Sequence, residues 1–198
     1  MIKVIHGPYI LSFQLNNKQY YAIFFEEAKM VIEEIIKRRS IREYCSKPVE
    51  KEKLGRIMEA GRLAPTANNN QDWKIIIVDD SETKNRLINA TSPHQPFLKE
   101  APIILVACGL NPEYRMRCGH PSYLIDLSIV LDHITLQAVK EGLGTCWIGS
   151  FFEDKAKEVL NIPKNIKIVE LMSLGYPQEA PSPRLRKPVG ELYIWNKW

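Results

Sequence analysis

The chain has 198 residues, of which 45% are hydrophobic and 25% charged, and a formal net charge of +4. That length suits one domain able to bury its own core, and the proportions are those of an ordinary globular protein. The small excess of positive charge is confined to two short clusters, which argues against a nucleic-acid surface, and no run approaches the ~20 apolar residues of a membrane span.

Residues 1–28 read as an N-terminal extension of unclear role. Ile10, Ser12, Phe13 and the run Tyr20 to Phe25 are strand-like, with Asn16-Asn17-Lys18 as a turn. An added hairpin and an upstream start codon, with Met30 opening the main part, both remain open. The N-terminus lacks a cationic n-region, an apolar h-region and a small-residue cleavage site. Cys45, Cys108, Cys118 and Cys146 form no CxxC pair, so reduced thiols and a cytoplasmic protein are expected.

Val31, Ile32, Ile35 and Ile36 have helical spacing, which predicts a helix with one buried face running into Lys37-Arg38-Arg39-Ser40-Ile41-Arg42. Cations at a helix end complement the macrodipole. Three arginines around a hydroxyl also make an anion cradle, because guanidinium forks match phosphate oxygens. Lys51 to Arg62 is an amphipathic helix with Leu54, Ile57, Met58 and Gly61 on one face, and Pro65 stops it. A Thr/Asn-rich loop then feeds a strand at Lys74 to Val78. Ser81 is the predicted N-cap of a helix through Ala90. Pro93, Pro96 and Pro102 bracket a loop, and Ile103 to Cys108 reads as a fully buried strand.

Pro121 to Gly142 is the longest predicted helix, with Gly142 at its C′ position. Leu124, Leu127, Leu131, Ile134 and Ala138 form one stripe; Ile125, Ile129, Leu136 and Val139 form another. A helix apolar on two sides is buried on two sides, which suggests sharing with a partner subunit. Cys146 to Ile148 is a short extended piece, and Ser150 to Glu153 has the capping-box pattern for a helix ending near Asn161. Ile166 to Leu174 is a third strand. Proline-rich sequence follows, and Leu192 to Trp195 is a predicted final strand. No linker or repeat divides the chain, so the fold class is α+β in one domain.

Gly142-Leu143-Gly144 follows a helix instead of opening one, so it is no dinucleotide loop. No Ser-His-Asp set, carboxylate pair or metal cluster stands out, since His6, His94, His120 and His133 are scattered. Cys118-Gly119-His120 has no companion cluster, and a metal role is not expected.

Four segments in order carry a likeness: Arg38-Arg39-Ser40 with Arg42; Pro65 to Trp73; Gly142 to Gly149; and Arg184-Leu185-Arg186-Lys187-Pro188. Together they resemble the FMN-dependent nitroreductase family over roughly Met30 to Trp198, with residues 29–198 as the FMN-binding domain. The resemblance implies a central, mostly antiparallel sheet flanked by helices, in an intertwined homodimer with exchanged C-terminal strands and FMN at the interface. It implies that Arg38, Arg39 and Ser40 hold the FMN phosphate and ribityl chain with Arg184 and Arg186, and that Arg42 lies near the pyrimidine edge. Pro65, Thr66, Ala67 and Asn69 meet the flavin from the other subunit; Thr66 stands for the family's serine and Asp72 for its proline. The backbone of Ile148 and Gly149 faces flavin N5, while Trp147 either walls the ring or belongs to the core.

The cofactor would carry the chemistry, so no catalytic side chain is nominated. The implied activity is an oxidoreductase that passes hydride from NAD(P)H through FMN to a nitroaromatic, quinone or similar small aromatic acceptor. The alternatives are reductive dehalogenation or flavin-processing chemistry on the same scaffold, and a non-catalytic FMN-binding module.

Overall fold

The structure is a computed structural model that describes residues 31–198. The extension at residues 1–28 and its hairpin therefore lie outside the described residues. The chain divides into two compact units, residues 33–183 and a second that includes Arg184–Trp198.

Residues 33–183 run α1 (Glu33–Lys37), α2 (Lys51–Arg62), β1 (Trp73–Val78), α3 (Ser81–Thr91), β2 (Ile103–Gly109), α4 (Ser122–Lys140), β3 (Gly144–Ile148), α5 (Glu153–Leu160) and β4 (Lys167–Gly175). The strands make one antiparallel sheet in the order β1-β2-β4-β3. All seven residues of β2 are buried, as a continuous apolar run requires when both sheet faces are covered. One face packs Val106 and Ile148 against Leu87 and Ile88 of α3 and Ala156 of α5. The other packs Leu105, Ala107 and Met172 against Ile57 of α2 and Leu127, Leu131 and Ile134 of α4. The α+β reading and the antiparallel sheet hold.

A register shift interrupts the β2–β4 ladder, where Ala107 pairs with Glu170 and Cys108 with Ile168. Val169 is the extra residue, and a bulge of this kind re-aims its neighbours. Helix α4 closes with two bonds, Leu143 N–H to Ala138 O at 2.8 Å and Gly142 N–H to Val139 O at 3.0 Å. Gly142 takes φ +77°, the left-handed value that this stop needs. Helix α4 reaches a mean hydropathy of 1.2, which meets the composition of a membrane span, but eight of its residues are buried in the packing of a core helix. Its second stripe is less covered: Ile125 is exposed, and Ile129, Leu136 and Val139 are half-buried.

Four expectations need correction. Helix α1 buries nothing: Val31, Ile32, Ile35 and Ile36 are all exposed, the last two by 51% and 52%. The cap of α3 is Asp80, whose carboxylate accepts from Thr83 N–H at 2.7 Å, one residue before the serine expected there. No capping box starts α5: Phe152 is its N-cap, and the Glu153 carboxylate instead accepts from Ile168 N–H and pairs with Lys157. After Pro188 the chain makes a 3-10 turn at Val189–Glu191, and Leu192 to Trp195 is not a strand. A strand needs a ladder partner, and the expected one belonged to a second subunit.

Two glycines test the packing. A Cβ on Gly144 would lie 2.2 Å from Cγ1 of Ile41, so Gly144→Ala should destabilise the protein by about 1–3 kcal/mol through overpacking. Gly55, on the exposed face of α2, has nothing within 4 Å of such an atom, so Gly55→Ala should stabilise by roughly 0.5–1 kcal/mol. Urea unfolding of both variants checks the opposed signs.

Candidate functional site

The arginine segment is fastened to the sheet edge. Ile41 donates its N–H to Thr145 O on β3 at 2.9 Å, and Ser40 bridges Thr145 in parallel. Buried Tyr44 secures the far end: its hydroxyl donates to Ile41 O at 2.9 Å and lies 2.7 Å from Ser173 Oγ. Burial pushes that phenol well above its ordinary range. Arg39 folds back on α1, donating to the carbonyls of Ile36 and Arg38 at 2.8 Å. Of the expected cradle, it is therefore the member that serves the helix end. Arg38 and Ser40 make no side-chain hydrogen bond or ion pair among the described residues, and Arg42 lies 5.9 Å from the centre of the Phe97 ring. Ser40 and Arg42, with Glu43, Glu179 and Pro181, line a cleft of about 370 Å³.

The strand that carries Thr145, β3, ends at the expected ring-facing stretch. Ile148 is buried and Gly149 exposed. Trp147 donates its indole N–H to Thr135 Oγ1 on α4 at 3.0 Å and remains 39% exposed, so the structure anchors it without hiding it. Residues that the sequence reading passed over hold the next turn. Gln95 donates to Ser150 O at 2.9 Å, and His94 Nε2 sits 3.0 Å from Ser150 Oγ.

Glu170 was also passed over. Its carboxylate oxygens stand 3.6 and 3.8 Å from where a Cβ on Gly149 would be. It makes no hydrogen bond or ion pair among the described residues, and burial pushes its carboxyl up to about 7. Arg42, Glu170 and Arg38 all act on the buried Cys146 thiol, the arginines lowering and the carboxylate raising its pKa, while burial raises it most.

The Pro65–Trp73 loop forms a second grouping. Ala67 donates its N–H to Asp126 Oδ1 of α4 at 2.9 Å, and Thr66 Oγ1 accepts from Gln71 N–H at 3.1 Å. Asn68, Asn69 and Gln71 all take positive φ, where asparagine is tolerated better than most residues. Asp72 fits this turn: its carbonyl accepts from Leu110 N–H at 3.0 Å. Pro65 and Asn69 are exposed, and among the described residues no hydrogen bond joins this loop to Arg38–Arg42 or to Trp147–Gly149. Arg184 and Arg186 lie exposed in the C-terminal unit, where Arg186 donates to the carbonyls of Arg184 and Leu185 at 3.2 Å.

The nitroreductase family model matches residues 35–94 and 89–176. The chain belongs to the nitroreductase family. A solved nitroreductase family protein of Clostridium novyi NT is 37% identical, with 74% of this chain and 84% of the other covered and a TM-score of 0.67. An FMN reductase (NAD(P)H) of Bacillus subtilis is 31% identical, covering 80% of this chain and 70% of its own. The NADPH:FMN oxidoreductase of Vibrio harveyi, solved with NAD+, is 27% identical, with 84% and 76% covered and a TM-score of 0.76.

On this nitroreductase scaffold, Glu170 makes a pH-dependent contribution to stability. Its folded pKa of about 7 exceeds the ordinary value of 4.5, so the folded protein binds this proton more tightly than the unfolded chain. The contribution is complete below the unfolded pKa and is lost as pH rises through the folded one. Denaturant unfolding without added ligand should show the wild type losing stability relative to Glu170→Gln over that window and running parallel to it above.

Proposed function

We propose that the chain is an FMN-dependent oxidoreductase that takes hydride from NADH or NADPH and delivers it to a flat acceptor such as a nitroaromatic or quinone. One observation carries the reading: the Ser40–Thr145 bridge fastens Arg38–Arg42 to the start of β3, the strand that ends at Ile148–Gly149, and Ser40 and Arg42 line a cleft with Glu43, Glu179 and Pro181. The names of the Bacillus subtilis and Vibrio harveyi relatives agree with it.

The donor set fits FMN. A phosphate half-removed from water needs charge-assisted donors that keep their charge, and Arg38 has its guanidinium uncommitted among the described residues. Ser40 adds a hydroxyl. Arg39 shapes the helix end that presents the site. When bound, FMN supplies hydride transfer at N5 in both directions. The exposed backbone of Gly149 lets the ring approach without a Cβ in the way. Arg42 places a cation where the electron-rich ring gathers charge. Trp147 walls the site from its Thr135 anchor.

The active unit is a homodimer. Ile35 and Ile36 of α1, together with Leu124 and Ile125 of α4, expose apolar surface that a second copy would cover. Pro65, Thr66, Ala67 and Asn69 then reach the flavin of the other subunit.

The purified protein should be yellow and release FMN on denaturation. Losing one charge-assisted bond costs ~1.5–3 kcal/mol, so Arg38→Ala should weaken FMN binding at least roughly tenfold. With one stacking site for two flat reactants, steady-state turnover of NAD(P)H and a quinone should follow ping-pong kinetics. Wild-type protein that binds no FMN would end this reading. Bound FMN that neither NADH nor NADPH bleaches would leave a flavin-binding module without turnover.

A further inference from the structure

We propose that Glu170 takes up a proton when the flavin bound against Gly149 is reduced and surrenders it when the acceptor leaves with the electrons. The inference rests on the FMN reading above and assigns a role to a residue that reading does not use.

The geometry begins with the bulge at Val169. The ladder pairs Glu170 with Ala107, whose side chain belongs to the layer packed on α2 and α4, so the carboxylate rises on that same face. There it stands beside Gly149, the residue whose backbone is assigned to the ring. Isolated carboxylates are expensive to keep half-buried, and strands rarely carry one without a partner. Glu170 has no hydrogen bond or ion pair among the described residues, and desolvation alone governs its titration.

Among the described residues no neighbouring element supplies a fixed counter-charge to Glu170. On β3 the ionisable neighbour is Cys146, whose buried thiol stays protonated at neutral pH. On β2 it is Cys108, pushed up to about 11 by burial. On α4, Asp126 is held by the Ala67 N–H. Arg38 and Arg42 act on Cys146 from the seam and form no pair with Glu170. A carboxyl without a fixed partner changes state readily when a nearby charge changes, and its pKa of about 7 puts it at that balance point in the resting protein.

The electron and proton count closes. NAD(P)H passes a hydride, two electrons and one proton, to the ring and leaves as the oxidised nicotinamide. The site has gained one negative charge, which a second carboxylate charge beside it opposes, so Glu170 binds a proton from solvent. A quinone then takes the hydride and the carboxyl proton together, leaves as the hydroquinone, and restores the carboxylate.

The test is a spectroelectrochemical titration of the FMN-loaded wild type and Glu170→Gln from about pH 7 to about pH 9. One proton taken up with two electrons changes the equilibrium tenfold per pH unit, ~30 mV. Over the range where oxidised Glu170 is ionised, the wild-type midpoint should fall more steeply than that of the variant by that amount. Coincident slopes overturn the assignment. Should the variant fail to fold or to hold flavin, reduced-minus-oxidised infrared spectra of the wild type at about pH 8 decide: a carboxyl C=O stretch gained on reduction supports it, and none overturns it. Wild-type protein without FMN sinks both this inference and the oxidoreductase reading. FMN that NAD(P)H reduces, with coincident slopes, sinks the role of Glu170 alone.

Discussion

The contact on which the site depends is the seam between Ile41 and the start of β3. Ile41 gives one backbone hydrogen bond to Thr145, and its side chain lies so close to Gly144 that no Cβ fits between them. Neither would suffice alone, since a single net hydrogen bond contributes about 0.5–1.5 kcal/mol. The chain therefore repeats the fastening further along. Cys45 donates to Tyr176 O and Gln178 to Glu43 O, both at 2.9 Å, and Tyr44 bridges the seam to Ser173 of β4. An arginine-rich run that would otherwise fray in solvent is held along the sheet edge like an added strand. Ile41 and Tyr44 go into the core, while Arg42 and Glu43 stay outside beside the cleft.

The sheet explains why polar chemistry collects at one corner. Its centre is apolar on both faces, so a charged group survives only near the end of a strand or at a break in the ladder. The bulge at Val169 is such a break, and Glu170 is the charged residue it turns toward Gly149. Helix α4 contributes from the same side, holding Trp147 through Thr135 and the Ala67 turn through Asp126. One helix thus steadies both groupings of site residues, although no hydrogen bond joins them directly among the described residues.

Elements with a strong apolar period were legible in the sequence. The β-branched runs of β1, β2 and β4 and the stripes of α2 and α4 lie within a residue or two of where periodicity put them. Gly142 stopped α4 as its place predicted. Features that depend on a distant partner were not legible. Asp126 meets Ala67 across 59 residues of sequence, and His94 meets Ser150 across 56, with no local pattern to announce either. Glu170 did leave a signal, as a lone charge in the apolar run Ile168–Leu174. The same logic accounts for the misplaced caps and the absent final strand. Serine and glutamate at capping spacing compete with other partners, and Glu153 found its own in Ile168 and Lys157. The face of α1 is apolar as its spacing predicts but exposed, because nothing among the described residues lies over it.

A crystal structure of the protein with FMN bears on the central claim most directly. The account predicts two copies per assembly, the ring against the backbone of Ile148–Gly149, and the phosphate within hydrogen-bond reach of Arg38 and Ser40. Density for FMN away from the Ile41–Thr145 seam, or a phosphate bound without Arg38, would contradict it.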